Sequence, residues 1–122
     1  MTKDLAIAHL LANFAYIDNE IAYIEIKKLK EISEKLKLKV NIDDIVRDVV
    51  DKADTLEMDL YAEALAYINT RCELDEKLKI LKYAVELIEA DGKIMDKEVM
   101  KIKMVSANWN IDIKEVFSYF IS

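Results

Sequence analysis

The sequence predicts an all-α domain, and three observations carry that prediction. The 122 residues contain one glycine and no proline, the two residues that β-rich folds use for tight turns. Apolar residues recur at three- and four-residue spacing through most of the chain, the period of a helix with one buried face. Hydrophobic residues make up 53% and charged residues 34%, which supplies a core and a solvated surface and is too apolar for a disordered chain. The length suits one domain over residues 1–122, and the pattern divides it into about seven helices.

The first helix is expected over about Thr2 to Ile17, with Ile7, Leu10, Leu11, Phe14 and Ile17 on one face. The second runs from about Tyr23 to Leu36, with Ile26, Leu29, Ile32 and Leu36 as its stripe. Asn41 then has the side chain of an N-cap, which accepts from the first free amides of a helix. The third helix follows, with Ile42, Ile45, Val46, Val49, Val50 and Ala53 inward. Asp43 and Asp44 sit in its first turn, where the helix dipole favours negative charge. The fourth covers about Glu57 to Asn69 and turns Leu60, Tyr61, Ala64, Leu65 and Ile68 inward.

The fifth starts near Leu74 and carries Leu74, Leu78, Leu81, Val85 and Ile88, with Ile80, Ala84 and Leu87 beside them. So wide an apolar surface suggests a central helix packed on more than one side. It stops at Asp91-Gly92, because glycine takes the left-handed conformation of a helix cap. The sixth runs from about Met95 to Trp109 and buries Val99, Ile102, Val105 and Trp109. The last runs from about Asp112 to Ile121, with Ile113, Val116, Phe117 and Phe120 inside.

The first two helices resemble the fifth and sixth. A shift of 73 positions lays Asp18 on Asp91, Ile21 on Ile94, Glu25 on Glu98, Lys28 on Lys101, Lys30 on Lys103 and Ser33 on Ser106. The apolar stripes follow, Phe14 on Leu87, Leu29 on Ile102 and Ile32 on Val105. Each copy is a long helix, an acidic turn and a second helix, so the expected architecture is two related hairpins around a shared core.

Composition also excludes functions. The net charge of −6 argues against a nucleic-acid partner, which calls for a basic patch. Lys27, Lys28, Lys30, Lys35, Lys37 and Lys39 cluster, but Glu25, Glu31 and Glu34 interleave them, as on a solvated helix face. Cys72 is the only cysteine, so there is no intrachain disulfide and no thiolate zinc cage; it is expected in a short connection or helix end, inert. No apolar run approaches the roughly 20 residues that span a bilayer, and the N-terminus begins an amphipathic segment rather than a signal peptide. A reducing, cytoplasmic setting is expected. His9 is the only histidine; with a single histidine and no nucleophile-elbow signature there is no triad, and no enzymatic activity is expected. The tyrosines are expected at the edge of the core, with rings buried and hydroxyls wet.

The segment Ile88-Glu89-Ala90-Asp91-Gly92-Lys93-Ile94-Met95-Asp96-Lys97-Glu98 resembles the TerB-like tellurite-resistance superfamily, which includes the N-terminal region of DjlA-type co-chaperones. The family's pattern is Ala-Asp-Gly-Lys-Ile followed by a helix with Glu in its first turn. Tyr16-Ile17-Asp18-Asn19-Glu20-Ile21-Ala22-Tyr23-Ile24-Glu25 stands where the family has its first copy. Two departures matter: Asn19 replaces the usual glycine, and Ala22 and Met95 stand where a capping residue such as serine is common. The resemblance implies a helical bundle over nearly the whole chain. It also implies a stress-associated role exercised through binding to an as yet unidentified protein partner, and acidic turns that hold cations.

Asp91, Glu98, Asp18 and Glu25 are therefore the candidate metal ligands. If the hairpins pack about a pseudo-twofold axis, these carboxylates surround one point, and oxygen ligands suit Ca²⁺ or Mg²⁺. Capping is the simpler reading: Asp91 serves a turn, and Glu98 gains from the dipole of its helix. The turn also imitates half an EF-hand loop, but Leu87 would hold the first ligand position and cannot coordinate. A ligand-free helical adaptor for another protein is the alternative function.

Overall fold

Side-chain caps open three of the helices. The Thr2 hydroxyl accepts from the Leu5 amide at 3.2 Å and opens α1, Lys3–Ala15. Then follow α2, Tyr23–Leu36, and α3, Ile42–Lys52, the latter begun by Asn41, whose Oδ1 accepts from the Asp44 amide at 3.2 Å. Next come α4, Met58–Arg71, α5, Leu74–Ile88, and α6, Asp96–Asn108. A seventh helix, α7, begins at 113–116, and Asp112 caps it by accepting from the Lys114 amide at 2.9 Å. The computed structural model describes residues 2–16, 21–52, 58–90, 92 and 96–116. The protein is an all-α bundle of about seven helices, with no strand among the described residues. Among them no helix is long and apolar enough to cross a membrane. Ile17, Ala53, Phe117, Phe120 and the end of the last helix lie outside the described residues, as does the side chain of Leu60.

α1 is the hub. Nine of its 13 residues are buried, and it packs on α4 most extensively and on α2, α3, α5 and α6 as well. α5 packs on α1, α2 and α6, so its wide apolar face is covered from several sides, as expected, but α1 is the more central of the two. Leu74 departs from expectation, 51% exposed: as the first residue of α5 it precedes the turns that meet the core.

The two hairpins match in their buried positions. Leu29 and Ile102, Ile32 and Val105, and Phe14 and Leu87 are all inaccessible or nearly so, and the small polar pair Ser33 and Ser106 is buried too. The helix ends match as well. Lys37 and Asn110, at φ 55° and 57°, both take the left-handed conformation. One residue on, the Leu38 amide donates to Ser33 O at 3.0 Å and the Ile111 amide to Ser106 O at 2.8 Å. α2 and α6 thus close with the same 6→1 cap. Each hairpin also packs across the other, α1 on α6 and α5 on α2, as a pseudo-twofold arrangement requires. α4 has no counterpart; it lies on α1 and accepts, at Leu65 O, the Trp109 Nε1–H at 3.1 Å.

Candidate functional site

Glu25 and Glu98 are each the third residue of their helix, so each carboxylate gains from the positive end of its own helix dipole. Both are buried, 7% and 3% exposed, and Glu25 Oε2 is wholly out of reach of solvent. Burying charge there requires compensation, and part of it comes from Lys101, one helical turn beyond Glu98 on the same face of α6. The fields of Glu98 and then Glu25 both act to keep the Lys101 ammonium charged; burial acts against them and prevails, pulling the group below the ordinary lysine range.

The ammonium is held on its other side by the end of α1. Nζ donates to Asn13 O at 2.6 Å and to Tyr16 O at 2.8 Å. α1 has no basic residue in its own last turn, so a lysine from the opposite hairpin meets its negative end. Asn13 is itself anchored, its Nδ2 donating to His9 O at 2.8 Å. Two carbonyls thus hold one positive charge on which the fields of two buried carboxylates also act. Of the four acidic residues singled out in the sequence, Glu25 and Glu98 come together here; Asp18 and Asp91 lie outside the described residues. Among the described residues no three His, Cys, Asp or Glu side chains gather as a metal site would need. Lys101 was missed in the sequence. Its only signal was the repeat match to Lys28, which does not show what the side chain reaches.

The repeat places a different feature at the other end of the pseudo-twofold. Where Lys101 closes on Asn13 and Tyr16, the equivalent Lys28 lies in an open cleft of about 480 Å³, with Ile24, Lys27, Glu31, Glu86 and Glu89 in its walls. Lys28 pairs there with Glu31 at 3.8 Å.

The remaining chemistry-bearing side chains are structural. His9 is buried in α1. Cys72 is buried in the connection from α4 to α5, and burial, helped by the charge of Glu76, pushes its thiol up, which keeps it a poor nucleophile. Tyr16, Tyr61, Tyr67 and Tyr83 are half-buried, as edge residues should be. Tyr23 is not; it is 81% exposed because it opens α2 ahead of the first buried turn. Of the basic cluster, Lys27, Lys30, Lys35, Lys37 and Lys39 are exposed, and Lys30 pairs with Asp43 at 3.0 Å.

A family model described as "Tellurite resistance protein TerB" matches residues 4–117. No curated protein and no solved structure matches the chain.

Proposed function

The chain belongs to the TerB family of tellurite-resistance proteins, and on that premise we propose that it is a non-catalytic, stress-associated module that binds a divalent cation, Ca²⁺ or Mg²⁺, at its acidic inter-helix turns. The carrying observation is the pair Glu25 and Glu98: equivalent in the repeat, buried, and both directed electrostatically at one ammonium. Buried carboxylates whose field favours positive charge favour a divalent ion more than a monovalent one. Asp18 and Asp91, at the preceding turns, complete the ligand set in this reading. Residues 1–122 act as one domain, in the cytoplasm.

The test is thermal unfolding of wild type and Glu98→Gln, each with millimolar Ca²⁺ or Mg²⁺ and with chelator. A cation bound only by the native state raises stability by RT ln(1 + [L]/Kd), about 2.7 kcal/mol at a hundredfold excess over Kd. The expected result is a cation-dependent rise in wild type that shrinks in Glu98→Gln. A Glu98 that only complements the helix dipole would instead cost a few tenths to about 1 kcal/mol in both conditions, and wild type would not respond to cation.

A second reading is a ligand-free adaptor for a protein partner. Met100 and Met104, one turn apart on α6, are 57% and 64% exposed, and flexible methionine side chains suit adaptable contacts. Absence of a cation response, with loss of partner capture in Met100→Lys/Met104→Lys, would favour it.

A further inference from the structure

We propose that the open cleft between α2 and α5 receives the lysine or arginine side chain of a protein partner, seated at the end of α5 as Lys101 is seated at the end of α1. The cleft belongs to the half of the repeat that Lys101 does not enter, so the inference goes beyond the cation reading and does not depend on it.

The chain itself supplies the template. In the closed half, the Lys101 ammonium donates to Asn13 O at 2.6 Å and to Tyr16 O at 2.8 Å, at the end of a helix with no basic residue in its own last turn. The shift of 73 positions lays Asn13 on Glu86 and Tyr16 on Glu89, and both glutamates line the cleft. α5 likewise has no basic residue in its last turn, and the negative end of a helix favours a cation. Two neutral side chains are thus replaced by two carboxylates at the positions that seat a lysine. The lysine that corresponds to Lys101 is engaged within its own helix, where Lys28 pairs with Glu31 at 3.8 Å.

The seat on α5 also holds an orphaned group. Glu86 Oε2 is shut off from solvent and accepts no hydrogen bond among the described residues. Leaving a buried carboxylate oxygen in that state costs free energy, which a donor from outside recovers.

Charge and shape narrow the occupant. Lys28 offsets Glu31, which leaves Glu86 and Glu89 against Lys27 and an excess of negative charge. Among the described residues no three carboxylates gather as a metal ion needs, so the excess suits an ammonium or guanidinium, which spreads its charge over several donors. The cleft, of about 480 Å³, has the size of a ligand site and not of an ion site. Ile24 in its wall is 46% exposed and offers apolar surface to the methylene stem of a basic side chain. Tyr23, next in sequence and 81% exposed, adds apolar surface that a partner's neighbouring residues can cover and a free amine cannot.

The test is an amide NMR titration of the isotope-labelled full chain with the peptide Ac-Leu-Lys-Leu-amide, its arginine counterpart, and a control peptide whose lysine is acetylated. Saturable shifts are expected at the amides of residues 24–31 and 86–90 with both basic peptides. The acetylated peptide should bind about tenfold more weakly or worse, the scale of a hydrogen bond to a charged group, and Glu86→Gln and Glu89→Gln should each weaken the lysine peptide several-fold. No saturable shift with either basic peptide, shifts confined to other residues, or equal binding of the acetylated peptide overturns the proposal on wild type alone, whatever the variants do. Unchanged affinity in both variants overturns it as well. So does n-butylamine binding as tightly as the peptide, which would make the cleft a small-amine site, and so does CaCl₂ moving the same amides, which would make it a metal site.

Discussion

Trp109 is 3% exposed and its Nε1–H donates to Leu65 O, so one ring ties the end of α6 to α4. Trp109→Ala should cost roughly 3–5 kcal/mol in denaturant unfolding, as expected for a buried aromatic; a loss under about 1 kcal/mol would mean that the site collapses around the missing ring. The burial of Trp109 followed from the stripe of Ile102 and Val105 in the sequence. Its hydrogen bond to Leu65 O did not, because α4 has no copy in the repeat against which to place it. Lys101 was illegible for a different reason: its acceptors lie 88 and 85 positions away, and a charged residue on an amphipathic helix reads by default as solvated. Glu25 and Glu98 were legible as a pair but not as buried. Cys72 gives a pH dependence. Its thiol is raised above the ordinary 9.0 in the fold, so between that value and the folded one the unfolded chain has lost the proton and the native state keeps it. The stability Cys72 contributes is complete below the ordinary value and is lost as pH rises through the folded one. Unfolding free energy should therefore fall less steeply above pH 9 in Cys72→Ala than in wild type; parallel curves would mean that the thiol titrates alike in both states.

At the scale of the element, helix ends were better marked than the absence of proline suggests. α2 begins and ends at the expected residues, and Asn41 caps α3 through its side chain. What the sequence concealed were the two left-handed residues at Lys37 and Asn110, because neither is glycine. Gly92 was the visible case. It sits at φ 79°, and a Cβ there would meet nothing within 4 Å, so the glycine answers to backbone conformation and not to crowding. Opposite substitutions should thus have opposite effects. Gly92→Ala should destabilise by about 1–2 kcal/mol, the cost of a left-handed L-residue, while Lys37→Gly should stabilise by up to about 1 kcal/mol after the entropy of glycine is counted. Asn110→Gly should gain less, since asparagine tolerates that conformation. Urea unfolding midpoints at constant m-value would measure all three; a stabilising Gly92→Ala would contradict the account of the turn.

At the scale of the molecule, the repeat was legible because matched positions share burial, and the hub was not. The wide apolar face of α5 pointed to a centre there, whereas small residues let α1 take it: Ala6, Ala8, Ala12 and Ala15 are all buried, and alanine contributes little to an apolar stripe while letting neighbouring helices approach closely. Native-state hydrogen exchange should accordingly be slowest in α1 and α5; slower exchange in α2 or α4 would displace the hub. The packing of α1 also bears on how the chain is made. Among the helices described, α1 is made before α4, the helix that packs on it most extensively. At about 5–20 residues per second, the stretch of synthesis between the two leaves that face of α1 bare for roughly 3–10 seconds. Until α4 arrives the nascent chain offers chaperones the apolar side of α1, and its yield in a cell depends on what shields that helix in the interval.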